Sequence, residues 1–179
     1  MRVPYTGGYV PDAITRTRIA NYFAAVTSSK RTTIEKWLPE VMPRWGKMRI
    51  LGGDSFRAAC ASHIDLEEAS EREMLYGHDN RWIPQVFYGE IQEILVCELP
   101  DRRAFGDLAG KTRLLAVIRP CSTAGRDACD EVVCYTQKTQ PIVQDIRTVV
   151  AVVGRVPTRG EWGIVDRSGG LLHPSFVTV

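Results

Sequence analysis

Residues 82–99 read WIPQVFYGEIQEILVCEL, and this stretch decides the fold class. Apolar and β-prone residues fill it from Trp82 to Tyr88 and again from Ile91 to Leu99. The single Gly89 between them marks a bulge or a close backbone approach. The run stops at Pro100-Asp101, a turn signal. It is therefore expected to form one strand system, Trp82–Tyr88 followed by Gly89–Leu99, at the centre of a sheet.

Shorter strands are expected on either side. On the C-terminal side these are Thr112–Arg119 with LLAVI at its centre, Val132–Thr136, Val143–Ile146, Val149–Val153 ending at Gly154, and Trp162–Val165. Residues 101–111, DRRAFGDLAGK, read as a polar loop. On the N-terminal side, Lys47–Leu51 and Ser55–Cys60 flank the turn signal Gly52-Gly53-Asp54. Residues 64–73 are acidic and fit a helical turn or an exposed loop, and Glu73–Tyr76 is expected to be extended.

Before Trp45 the pattern is helical. Asp12 or Thr15 can cap a helix whose apolar stripe is Ile14, Ile19, Tyr22, Phe23 and Val26. A second short helix is capped by Thr32 or Thr33, buries Ile34, Trp37 and Leu38, and stops at Pro39. The expected class is α+β: an N-terminal helical pair over residues 1–44, with helix-turn-helix proportions, then a small, partly closed antiparallel β-barrel or bent sheet over residues 45–179.

Composition fits this picture. The chain has 179 residues, 44% hydrophobic and 25% charged, which are ordinary globular values. No apolar run approaches the ~20 residues a spanning helix needs. The opening, MRVPYTGGYVPD, lacks the apolar core of a secretory signal, and it also suits a boundary inside a longer parent protein. Five cysteines at irregular spacing argue against a disulfide framework and for a reducing, intracellular setting. Zinc is the sharper alternative. Cys121, Cys129 and Cys134 lie close in sequence and His63 lies near Cys60, but no C-x-x-C pair exists. No metal and no cofactor are assigned, and Cys97 and Cys134 read as small core residues.

Net charge is +2 but uneven. Residues 1–60 carry ten Lys/Arg against four Asp/Glu, residues 61–101 two against ten, and residues 102–179 eleven against seven. Two readings follow: a basic face for nucleic acid, or two halves of one fold that attract each other. The candidate nucleic-acid contacts are Arg16, Arg18, Lys30, Arg31, Lys36, Arg44, Lys47 and Arg49, because phosphate neutralisation needs Arg and Lys. A second set is aromatic. Tyr76, Trp82, Tyr88, Tyr135 and Trp162, with Phe87 beside them, lie on or next to strands, where rings stack a base or hold a methylated lysine. The competing reading is that such rings form core.

Catalysis finds little support. His63, His78 and His173 belong to no catalytic motif, and Ser168 sits in a turn. Gly52-Gly53 and Gly169-Gly170 are turn pairs, and the nearest carboxylate cluster, Asp127, Asp130 and Glu131, lies in a loop. The chain is expected not to be an enzyme.

The segments ITRTRIANYF, WGKMRILGGDSFRAA, FYGEIQEILVCELPD, LLAVIRPC and VVAVVGRVPTRGEWGIVDRSG together resemble transposable-element-associated proteins of basidiomycete fungi, in which similar segments form the C-terminal region. The layout is similar to chromatin-reader barrels of the bromo-adjacent-homology or SH3-like kind. The resemblance implies a nuclear binding module acting on DNA or a histone tail within a longer protein. A protein–protein interaction or oligomerisation domain is the alternative.

Overall fold

The computed structural model describes residues 2–49, 55–57, 68–76 and 82–166; side chains are described for 5–49 and 86–166. Two helices and an antiparallel sheet system make the class α+β. Ten strands are present among the described residues: β1 (Arg2–Thr6), β2 (Arg44–Arg49), β3 (Ser55–Arg57), β4 (Glu68–Tyr76), β5 (Trp82–Glu98), β6 (Thr112–Pro120), β7 (Cys134–Tyr135), β8 (Ile142–Asp145), β9 (Val149–Thr158) and β10 (Glu161–Val165). Helices α1 (Ala13–Thr27) and α2 (Arg31–Trp37) lie between β1 and β2.

Strand β5 organises the rest. Its first half pairs with β4, from Tyr76↔Trp82 to Ala69↔Gly89. Its second half pairs with β6, from Gly89↔Pro120 to Glu98↔Thr112. Beyond β4's reach, β2 takes the edge opposite β6, with Arg44↔Leu95 and Trp45↔Ile94. β6 carries β8, and β4 carries the first half of β9. The second half of β9 forms a hairpin with β10, which pairs with β7. β8 and β9 are joined by a 3-10 turn, Ile146–Thr148, and share no ladder, so the sheet does not close on itself among the described residues.

The register of β5 explains its apolar run. A bulge between Ile91 and Glu93 shifts the alternation by one residue. Ile91 and Ile94 therefore fall on one face with Ala116, Ile118, Ile146 and Val149. Leu95 and Cys97 fall on the other with Leu115 and Val117, under the helices. Both faces are buried, which is why ILVC and LLAVI read as unbroken apolar stretches. Gly89 is a close approach: a Cβ there would lie 2.5 Å from Ile118 Cγ2.

Several expectations change. Asp12 does cap α1, its Oδ1 accepting from Thr15 N at 2.6 Å. However, Ile14 is 62% exposed and Val26 is also exposed; the buried positions are Thr15, Ile19, Ala20 and Phe23. Lys30, not Thr32 or Thr33, holds the N-cap position of α2, with no side-chain cap bond. The acidic stretch yields a nine-residue strand, β4, rather than a helical turn over its second half. Residues 103–108, read as polar loop, form a 3-10 turn with Phe105 fully buried. Phe105 meets Phe23 edge-on at 5.9 Å and joins the core under the helices. α2 has seven residues, roughly 10 Å at 1.5 Å per residue, short for a recognition helix.

Candidate nucleic-acid interface

The eight basic residues proposed from sequence divide by what they touch. Arg16 turns inward and donates to the carbonyl oxygens of Pro39 (2.7 Å) and Leu38 (3.3 Å), closing the end of α2. Arg44 lies over the Tyr9 ring at 4.1 Å and contacts Glu93 Oε1 at 3.5 Å. Tyr9 donates to the same carboxylate at 2.8 Å; burial and this carboxylate push its pKa up to about 12. These two arginines hold the fold together. Arg18 reaches Gln140 at 3.3 Å, and Lys47 and Arg49 lie on β2, away from α2 in the chain.

Lys30, Arg31 and Lys36 are exposed on the α2 surface. Arg31 pairs with Glu35 at 3.5 Å, a surface ion pair worth ~0–1 kcal/mol. Ser29 Oγ donates to Ala104 O at 2.7 Å, which ties the α1–α2 turn to the 3-10 turn, and Arg102 lies beside α2. The junction is Trp37, packed at its back on the core shared by the helices, β5 and β6. Arg102 Cζ lies 4.3 Å from the Trp37 ring centroid and Lys36 Nζ 5.3 Å. Each contact contributes about 0.5–1 kcal/mol at an exposed site. Lys36 and Arg102 thus bracket one half-buried ring; Lys30, Arg31 and Arg103 are exposed close by in the chain, as are Asp101 and Asp107, and Glu35 is paired with Arg31. Arg102 sits in the stretch that reads as a polar loop; its place beside Trp37 is a product of tertiary packing.

The aromatic set separates differently. Tyr76 and Trp82 face each other in the β4–β5 register, and their side chains lie outside the described residues. Tyr88 and Tyr135 are buried in a third core with Cys121, Val133, Val153 and Ile164. Trp162 is 36% exposed, with Arg155 Cζ 4.4 Å from its ring centroid.

Tyr88 also anchors the loop after β6. Its hydroxyl donates to Asp166 Oδ2 (2.9 Å), accepts from Ala128 N (2.9 Å), and lies 3.2 Å from Asp127 Oδ1. Burial and the Asp166 carboxylate raise its pKa. Asp127, Cys129 and Asp166 bring their ligand atoms within 4.8 Å of one another. Asp127 Oδ1 already accepts from Cys129 N at 2.9 Å, and Asp166 Oδ2 accepts from Tyr88, so the cluster acts as a latch holding the loop to β5 and β10. Of the zinc alternative, Cys121 is buried in the third core and Cys134 is half-buried on β7; Cys60 and His63 lie outside the described residues. So do His78, Ser168 and His173.

Comparison of the chain with protein-family models, with curated proteins and with solved structures gives no match. No helix among the described residues is long and apolar enough to cross a membrane.

Proposed function

We propose that this chain is a non-catalytic binding module that takes nucleic acid through the basic face around Trp37. The observation that carries the reading is the convergence of Lys36 and Arg102 on one ring, with Lys30, Arg31 and Arg103 exposed on the same two chain segments. Like charges gathered on a rigid core-backed platform repel one another, and an anionic polymer relieves that repulsion while releasing its counterions. The nuclear, transposon-like setting rests on the sequence resemblance.

The strand order supports reading the sheet as a partly closed, SH3-like barrel. One long strand, β5, serves two sheet halves; a 3-10 turn joins β8 to β9; and β9 returns to β4, next to where the path began. Such a frame presents its connecting segments as binding surface.

The test is binding to a labelled DNA duplex as salt is raised. Three to five phosphate contacts give a slope of log affinity against log salt of roughly −3 to −4.5. Lys36→Glu with Arg102→Glu should weaken binding at least tenfold at fixed salt. Absence of binding at ~50 mM salt, where this term is strong, refutes the proposal. Binding to a histone-peptide array without binding to DNA would replace it with the chromatin-tail reading. Exposed Val150, Val156 and Val165 favour a second reading, self-association, which light scattering decides.

A further inference from the structure

We infer that the β9–β10 hairpin is a second contact, a grip for an unpaired nucleic-acid strand, with Trp162 as the stacking platform and Arg159 on the phosphate. The inference rests on the nucleic-acid reading above but concerns a different surface. Its first support is the register. Trp162 faces Pro157, and Ile164 faces Arg155, so Arg155, Pro157 and Trp162 share one side of the hairpin. Glu161, opposite Thr158, falls on the other side. The Trp162 side is therefore cationic and aromatic with its acid turned away. Inward, this side continues into the third core through Ile164 and Tyr135, which gives the ring a rigid base.

The second support is the backbone at the tip. Arg159 and Gly160 connect the strands as a two-residue turn, both at positive φ, 45° and 89°. A turn of this kind favours Asn or Gly at the first position. A non-glycine residue there is strained. The hairpin tolerates that strain and carries an exposed Arg159 at its tip. Arg155 lies against the Trp162 ring, and arginine beside an aromatic ring is the pairing that single-strand binders use for a base and its phosphate.

The experiment compares full-length protein binding to labelled oligothymidylate and to a duplex. Trp162→Ala should weaken oligothymidylate binding on the order of 10- to 100-fold, the loss expected for one stacked base, and leave duplex affinity within about twofold. Trp162→Phe should recover most of the loss. Arg159→Asn relieves the turn strain, so this variant folds at least as well as the parent. It should still lower the single-strand salt slope by roughly 0.7, one phosphate contact. If Trp162→Phe and Arg159→Asn both bind like the parent and Trp162→Ala does as well, the hairpin inference is wrong. If the Trp37 face variants alone abolish binding to both probes, the basic-face proposal stands without the hairpin. An equal loss on both probes in Trp162→Ala overturns the single-strand assignment, and failure of the parent to bind either probe overturns both proposals.

Discussion

Replacing Gly89 by alanine isolates the contact on which the central strand depends. Gly89 does not have positive φ, so an L-residue meets no backbone strain there. The obstacle is steric. The added Cβ would stand 2.5 Å from Ile118 Cγ2, 3.2 Å from Arg119 O and 3.3 Å from Pro120 Cα. Ordinary carbon contacts lie at ~3.5–4.0 Å, so the Ile118 contact is short by about 1 Å or more. Ile118 is buried at 2% exposure, and the other two atoms are backbone of β6. Relief requires β6 to move from β5 at the point where Cys121 N donates to Tyr88 O at 2.7 Å. Overpacking of this kind costs ~1–3 kcal/mol, occasionally more. Against it stands the ~0.4–1 kcal/mol that alanine contributes by restricting the unfolded chain. A net loss of about 1–2 kcal/mol is expected, read as a lowered urea midpoint at constant m. Gly8→Ala is the control, since nothing lies within 4 Å of a Cβ there, and it should fall within ~0.5 kcal/mol of the parent. Ile118→Ala removes the clashing methyl at its own cost of ~2–5 kcal/mol, and the double variant should lose at least ~1 kcal/mol less than the two singles together. Gly89→Ala as stable as Gly8→Ala, or strict additivity in the double variant, refutes the reasoning.

Three further outcomes are expected. Phe105→Ala should cost ~3–5 kcal/mol by calorimetry, because a fully buried ring is removed from between α1 and β5. The Asp145 carboxyl is held below its ordinary value of 3.8: burial alone would raise it, and hydrogen bonds from the Arg147 side chain and backbone more than offset that. A depressed carboxyl stabilises the fold above its unfolded pKa and loses that contribution as pH falls through the folded value. Asp145→Asn should therefore flatten the loss of stability below pH ~4 in acid titrations followed by circular dichroism. Burial pushes the Cys97 thiol up to about 12, so in the native protein Cys97 should react with a thiol reagent only at the rate of unfolding, while half-buried Cys129 and Cys134 react sooner.

Much of the fold is legible in local chemistry. Asp12 announces the start of α1, and the unbroken runs around Ile94 and Leu115 announce strands covered on both faces. What escapes a linear reading is decided by packing. Ile14 fits a helical stripe, yet α1 docks through Thr15, Ile19, Ala20 and Phe23, a stripe rotated from the expected one. A single phenylalanine in DRRAFGDLAGK carries no periodicity, so its burial under α1 cannot be foreseen. Only the end of EASEREMLY, Glu73–Tyr76, reads as extended and its start is too charged to signal a strand; β4 runs the full length because β5 and β9 offer it ladders on which to pair. The candidate site behaves similarly. Lys36 and Trp37 are visible as a basic and aromatic pair, whereas Arg102 reaches them through packing across the chain, where Ser29 bonds to Ala104 75 positions away. Thr158-Arg159-Gly160-Glu161 lacks the Asn-Gly signature that marks a tight hairpin, so the turn joining β9 to β10 is hidden.

Because β5 lends its first half to β4 and its second half to β2 and β6, neither half of the sheet can come apart alone without stripping the same strand. Native-state hydrogen exchange should therefore show the amides of Ile94–Cys97 opening only with global unfolding, while the β10 hairpin, attached through β9 and β7, exchanges by a cheaper local route. The molecule would then melt as one cooperative unit with a separately breathing arm.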